Sequence, residues 1–95
     1  DLGQPYNVYG IVIAGNANVD FNEWVANVDI ETSTDGTTIW ETHVTNLTTN
    51  TDATEVVSAR FNAIQTQHVR IVVKEYNEYP SMRVALLASQ TTAIE

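Results

Sequence analysis

The sequence predicts an all-β domain, an antiparallel β-sandwich, from three observations. Apolar residues alternate with polar ones, short segments rich in β-branched residues recur, and clusters of turn-forming residues separate them. Of the 95 residues, 43% are hydrophobic and 17% are charged, which is typical of a globular chain. Because almost no segment shows the apolar spacing of an amphipathic helix, strands must supply the layers of the fold.

The clearest strand begins at Trp24. Alternation predicts one face with Trp24, Ala26, Val28 and Ile30, and an opposite face with Val25, Asn27, Asp29 and Glu31. The same reasoning predicts five further strands at Tyr9–Ala14, Ile39–Val44, Thr54–Phe61, His68–Lys74 and Met82–Leu87. We expect one domain over residues 1–89, followed by a tail or linker over residues 90–95.

Charge and composition exclude several classes of partner. Twelve acidic residues against four basic ones give a formal net charge of -8. Such a surface repels phosphate groups, so we expect no nucleic-acid partner and no docking to an anionic membrane. The chain has no cysteine, which excludes disulfides and thiolate metal sites.

The sequence shows no pattern that predicts catalysis. General acid–base chemistry needs carboxylates or a histidine that converge in a pocket. His43 and His68 lie in separate predicted strands, without an acidic or cysteine ligand at a useful spacing. We therefore expect that the protein is not an enzyme and that neither histidine holds a metal.

Six short motifs follow one another along nearly the whole chain. They are Asp1–Gly3 with Val8–Val12, Ala14–Gly15 before Trp24–Val25, Ser33–Trp40, Asn50–Asp52, Gln67–Ile71 and Ser81–Leu87. Their order and spacing resemble the discoidin, or coagulation factor V/VIII type C, domain family. In the third motif, Asp35-Gly36 supplies the positive φ of a hairpin turn, and Trp40 is expected to return to the core.

The resemblance implies a discoidin-like jelly roll, and it also implies that the N-terminal strands of the domain are missing from this chain. We expect residues 1–95 alone to be molten or aggregated, because a sandwich needs all its strands to bury both faces. The family often has a structural calcium site, yet Ala85 and Gln90 stand where an acidic ligand would be expected. No cofactor is predicted, and calcium is an expectation for a complete domain only.

Loops at one end of the sandwich carry the ligand sites of this family, which bind glycans, phospholipid headgroups or protein segments. The projecting loop here is Gly15–Glu23, rich in amides and carboxylates that suit sugar hydroxyls, with one aromatic ring for stacking. That composition favours a carbohydrate over a membrane. The candidate ligand-binding residues are Asn16, Asn18, Asp20, Phe21 and Asn22, with Tyr79 from a neighbouring loop.

Two functions remain open. The first is a non-catalytic, lectin-like adhesion module, secreted or at the cell surface, that binds a glycan or an extracellular protein. The second is a structural interaction domain of a larger multidomain protein or assembly, completed by strands from elsewhere. Asn46-Leu47-Thr48 is in addition a candidate N-glycosylation acceptor in a Thr-rich loop, if the protein is secreted by a eukaryotic cell.

Overall fold

Six antiparallel strands make up the computed structural model, which describes residues 1–18 and 20–90. The strands are β1 (Tyr6–Ala14), β2 (Trp24–Ser33), β3 (Glu41–Thr48), β4 (Val57–Thr66), β5 (His68–Asn77) and β6 (Arg83–Gln90). They form two three-stranded sheets, in the orders β4-β1-β6 and β3-β2-β5. The predicted antiparallel sandwich is confirmed. Within residues 1–18 and 20–90, no helix is long and apolar enough to cross a membrane.

The two central strands supply the buried core. Ile11 and Ile13 of β1 pack with Val25, Val28 and Ile30 of β2, and all five side chains are fully buried. Each such side chain contributes roughly 1.5–3 kcal/mol when it is fully buried. Half-buried side chains of the flanking strands cover this cluster, among them Leu47, Phe61, Ile71 and Leu86. The sheets therefore face each other across the contact between β1 and β2.

A β-bulge in β2 changes the faces that simple alternation predicts. Pairing with β5 shifts register twice between Val25 and Val28, first by one additional residue on the β2 side and then by one on the β5 side. As a result Val25 points into the core with Val28 and Ile30, whereas the sequence placed Val25 on the opposite face. Trp24, expected to start the inward face, is only partly buried and lies at the end of the sandwich.

The β2–β3 connection is longer than a two-residue hairpin turn, because the last β2–β3 pair is Thr32–Glu41. Asp35 organises it by accepting hydrogen bonds from the Thr38 hydroxyl and the Thr37 amide. These bonds hold the pKa of the Asp35 carboxyl well below its usual range. Gly36 follows with a φ of 76°, as the Asp-Gly step predicts.

Trp40 does not return to the core as expected. Its half-buried ring lies under the guanidinium of Arg70, 4.1 Å from the ring centroid. The same guanidinium is bonded to Glu31, with Nη2 and Oε1 2.6 Å apart. A cation–π contact and an ion pair thus hold this tryptophan against strands β2 and β5.

Strand β6 forms an open edge of its sheet. It pairs with β1 from Arg83 to Gln90, three residues beyond the last residue of the predicted strand. Arg83 is its single charged residue, and most of its side chains, including Val84 and Ala85, are exposed. An edge with few charges offers its free N–H and C=O groups to another strand.

We therefore expect residues 1–95 to associate through β6, and Ala85→Lys to weaken this association because a charge on an edge strand opposes pairing. The matched control is Ser58→Lys on β4, since Ser58 and Ala85 flank the same residue, Val12, from opposite sides. Both variants change the net charge equally. Sedimentation velocity over a range of concentrations measures the effect, and equal behaviour of the two variants would contradict a role for β6.

Candidate functional site

Three loops meet at the end of the sandwich where β1 ends and β2 begins. They are the β1–β2 loop (residues 15–23), the β3–β4 loop (residues 49–56) and the β5–β6 loop (residues 78–82). Strand register brings them together, because Ile13 pairs with Val57 and Ala14 pairs with Arg83. A cleft of about 380 Å³ lies between the loops, lined by Asn16, Asn18, Phe21, Asn22, Trp24, Asp52, Ala53, Thr54, Asn77 and Glu78.

Asparagine side chains shape the β1–β2 loop from within. The Asn16 Oδ1 accepts a bond of 2.9 Å from the Asn18 amide, and the Asn18 Oδ1 accepts one of 3.0 Å from the Asp20 amide. The Phe21 amide donates to the Asn18 carbonyl, which closes a turn. Such side-chain-to-backbone bonds are why Asn is favoured in tight loops. They orient the exposed ring of Phe21 toward the cleft.

Glu23 fastens this loop to the β5–β6 loop. One carboxylate oxygen, Oε1, accepts from the Asn16 Nδ2 at 2.9 Å and from the Ser81 hydroxyl at 2.8 Å. Arg83 adds a second tie, because its Nε donates to the Gly15 carbonyl at 2.9 Å. Two segments that are distant in sequence, the β1–β2 loop and the β5–β6 loop with the start of β6, are therefore fixed to each other by polar contacts.

Gly15 is required where the β1–β2 loop leaves β1. A β-carbon at this position would lie 2.5 Å from the Glu23 carbonyl oxygen, 2.8 Å from the Ala53 Cα and 2.9 Å from the Trp24 Cβ. Two of these three neighbours are backbone atoms, which cannot move aside without shifting the loop. Glycine thus lets the β1–β2 and β3–β4 loops approach closely enough to share one cleft.

The β3–β4 loop is built on a buried asparagine. The Nδ2 of Asn50 donates to the carbonyls of Ile13 at 3.2 Å and Glu55 at 2.8 Å. Asp52 Oδ1 then accepts from the amides of Glu55 and Thr54. The Glu55 amide is the largest cause of a lowered pKa at Asp52, whose side chain stays ionised in the cleft at neutral pH.

The β5–β6 loop contributes Asn77 and Glu78. The Asn77 Nδ2 donates to the Asn22 carbonyl at 2.8 Å, which ties the end of β5 to the β1–β2 loop. Glu78 adopts the left-handed conformation, with a φ of 64°, a backbone region that is rare for a residue other than glycine. Strained residues of this kind are concentrated at functional sites.

The cleft contains some of the residues that the sequence suggested and not others. Asn16, Asn18, Phe21 and Asn22 line it, and the Phe21 side chain is 47% exposed. Asp20 and Tyr79 are exposed but are not among the residues that line the cleft. We keep both as proposed peripheral contacts.

Sequence reasoning named four of the ten residues that line the cleft and missed the other six. It treated the β1–β2 loop as the one projecting loop, whereas the β3–β4 loop supplies Asp52, Ala53 and Thr54 to the same cleft. The motif Asn50–Asp52 carried the available signal, because a buried Asn followed by a turn-forming Asp marks an ordered loop. No sequence signal indicated Glu78, since its position depends on a strained backbone.

Asn46 lies in strand β3 and not in the loop that we expected. Its φ is 55°, and its amide donates to the Asp29 Oδ1 at 3.0 Å, where β3 departs from regular pairing with β2. Few residues other than glycine adopt a positive φ, but Asn does so more often than most, and Asn46 is exposed at a β-bulge. Asn46 is not among the residues that line the loop-end cleft.

Calcium does not fit the described part of the cleft as a carboxylate-held ion. Within residues 1–18 and 20–90, no three His, Asp or Glu side chains converge as metal ligands. Two carboxylates, Asp52 and Glu78, line the cleft, and the Oδ1 of Asp52 is already bonded to backbone amides. We assign no metal role to these residues.

We expect Glu23→Ala to destabilise the domain by about 1–2 kcal/mol, because two part-buried hydrogen bonds lose their acceptor. Glu23→Gln keeps an oxygen that can accept both bonds, so its loss should be smaller. Chemical denaturation gives the free energy of unfolding, and hydrogen exchange shows whether the β1–β2 loop opens. Equal losses in the two variants would show that charge, not the shared acceptor, fastens the loop.

Comparison with known families adds to this geometry. Residues 1–86 match the family model of the F5/8 type C domain, and no curated protein gave a significant match. Domains of this family are in general non-catalytic binding modules, typically extracellular, and their ligands include glycans, proteins and lipids. The match covers most of the chain and agrees with the two antiparallel sheets and the grouped loops. The chain therefore belongs to the F5/8 type C, or discoidin, domain family.

Proposed function

We propose that this domain is a non-catalytic extracellular module that binds a glycan in the loop-end cleft. The observation that carries the proposal is the composition of that cleft, in which two aromatic rings and four asparagines share one concave surface. Sugar rings present an apolar face that stacks on aromatic rings, and hydroxyls that bond to amides and carboxylates. Phe21 and Trp24 offer the first kind of contact, and Asn22 and Thr54 offer the second.

The fixed loops support binding of a small ligand. Glu23, Arg83 and Asn77 hold the loops together through hydrogen bonds within the protein, so little loop ordering is left for the moment of binding. Preorganisation of this kind raises affinity because it lowers the entropic cost of association. The cleft also has the size of ordinary small-ligand pockets.

The charges at the cleft argue against an anionic membrane as the ligand. Asp52 and Glu78 are the charged residues among those that line it. Basic residues near an anionic leaflet contribute about 1 kcal/mol each, and acidic ones act in the opposite sense. A neutral glycan meets no such penalty.

A second candidate function is a structural interaction domain, which the open edge of β6 favours. This strand pairs with β1 along one side, and its exposed residues include Val84 at 39%. A strand from the parent protein or another subunit could continue the sheet there by β-augmentation. The glycan would bind in the loop-end cleft, and an added strand would pair along the edge of β6. Both functions can therefore be tested in one protein.

Phe21→Ala should lower the affinity for a glycan roughly 5- to 30-fold, because stacking contributes about 1–2 kcal/mol at such sites. The matched control is Tyr76→Ala, which removes an aromatic ring of similar exposure, 55%, that does not line the cleft. A glycan array identifies the ligand, and titration calorimetry then compares the variants. Binding that both variants weaken equally would contradict the assignment to the cleft.

Asn46 remains our proposed N-glycan acceptor in a eukaryotic secreted parent protein. Its side chain is exposed on β3 and does not line the cleft, so a glycan on Asn46 would lie outside the ligand site. We expect peptide mapping to find a mass increase on Asn46 that is removed by a glycosidase. An unmodified Asn46 in the native secreted protein would contradict this expectation.

A further inference from the structure

The charges of the loop-end cleft are all of one sign. Asp52 of the β3–β4 loop and Glu78 of the β5–β6 loop line it from two sides, and no basic residue is among the described residues that line it. Both are acidic side chains, so the described lining carries formal negative charge and no formal positive charge. A negative concave surface attracts cations and repels anions more strongly than a flat one does.

The basic residues of the chain do not offset this charge, because each has a partner elsewhere. Arg70 is bonded to Glu31, Lys74 lies 3.8 Å from Asp29, and Arg60 lies over the ring of Tyr9. Arg83 is the nearest to the loop end, but its Nε donates to the Gly15 carbonyl. These four account for all the Lys and Arg in the sequence.

The two acidic side chains sit on anchored backbone. The amides of Thr54 and Glu55 hold the Asp52 Oδ1, which leaves Oδ2 as the oxygen for a further donor. Glu78 follows Asn77, whose side chain ties this turn to the Asn22 carbonyl. The acidic groups therefore lie on the same framework that carries the aromatic rings of the cleft.

We propose that the glycan bound in this cleft carries a free, protonated amine, so that its chemical class is an N-unsubstituted amino sugar. An ammonium group has three donors, which can bond to the carboxylates that line the cleft, Asp52 and Glu78. An aromatic face such as that of Phe21 adds an attraction for the same cation. This inference rests on the proposed glycan-binding function and assigns the substrate class of that site.

Recognition of an amino sugar also predicts which other sugars the cleft excludes. Sulfated or carboxylated sugars would bring a negative charge toward Asp52 and Glu78 without a basic partner among the described lining. An N-acetylated sugar keeps the ring face for stacking but has no charge to pair with the carboxylates. Amine recognition thus depends on the nitrogen of the sugar. This nitrogen can be acetylated without altering the linked sugar rings.

The test compares three oligosaccharides of six residues by titration calorimetry: a β-1,4-linked glucosamine hexamer, its fully N-acetylated counterpart and a heparin-derived hexasaccharide. We expect the glucosamine hexamer to bind at least tenfold more tightly than the acetylated hexamer in 50 mM salt, and the heparin hexasaccharide not to bind. The preference should shrink in 500 mM salt, because screening weakens ion pairs more than stacking.

Variants separate a specific site from general attraction between a cationic sugar and an acidic protein. Asp52→Asn and Glu78→Gln should each remove most of the preference for the amine, and Asn at position 52 can still accept the loop amides. Glu41→Gln is the matched control, since it removes the same charge from an exposed residue at the opposite end of the sandwich. If Glu41→Gln reduces the preference as much as Glu78→Gln, the proposal is overturned.

The remaining outcomes distinguish this inference from the function on which it rests. Equal binding of the glucosamine and acetylated hexamers, weakened by Phe21→Ala, would overturn amine recognition and keep the glycan cleft. Binding of none of these sugars or of any glycan on an array, together with capture of a protein segment by the cleft, would overturn both. A tenfold preference for the glucosamine hexamer that is lost in Asp52→Asn and Glu78→Gln but kept in Glu41→Gln would support both amine recognition and the glycan cleft.

Discussion

The contact between β1 and β2 across the middle of the sandwich supports the rest of this structure. Ile11 and Ile13 on one side and Val28 and Ile30 on the other have no exposed surface. Each of these side chains contributes about 1.5–3 kcal/mol through burial, more than a typical loop hydrogen bond, which contributes about 1 kcal/mol. The loops are ordered because the strands from which they extend are held in place by this contact.

At the loop end, hydrogen bonds hold the segments together, as apolar packing does in the middle of the sandwich. Buried Asn50 joins the β3–β4 loop to the end of β1, and Glu23 joins the β1–β2 loop to Ser81. The same residue types that suit sugar hydroxyls therefore also build the loops. Asn16 and Asn18 show this double use, because their side-chain oxygens are bonded to backbone amides while the side chains line the cleft.

Sequence reasoning predicted the class of fold and the existence of all six strands, because alternation and turn residues are local properties. It was wrong about Val25, since a bulge changes the phase of β2 and depends on pairing with β5. It was also wrong about Trp40, whose ring lies against Arg70, a residue thirty positions later in the chain. Features set by local pattern were predictable, and features set by distant partners were not.

The same distinction explains why only part of the cleft was predicted. The β1–β2 loop stood out through its composition, with Asn at positions 16, 18 and 22. Asp52 and Glu78 join it only because β4 and β6 both pair with β1 and bring their loops to the end of that strand. Which loops meet depends on the register between strands that are distant in sequence, and this register cannot be read from a single sequence.

The pairing of β1 with β6 has a consequence for the order of events during synthesis. Tyr6, near the start of the chain, pairs with Gln90, and β1 is central to a sheet whose other members both come later. Folds dominated by such distant pairs form in milliseconds to seconds, because loop closure precedes the contacts that compensate for it. β1 cannot complete its sheet until β6 has been synthesised, so the β1–β2 loop is made well before the β5–β6 loop and the start of β6, to which Glu23 and Gly15 are bonded.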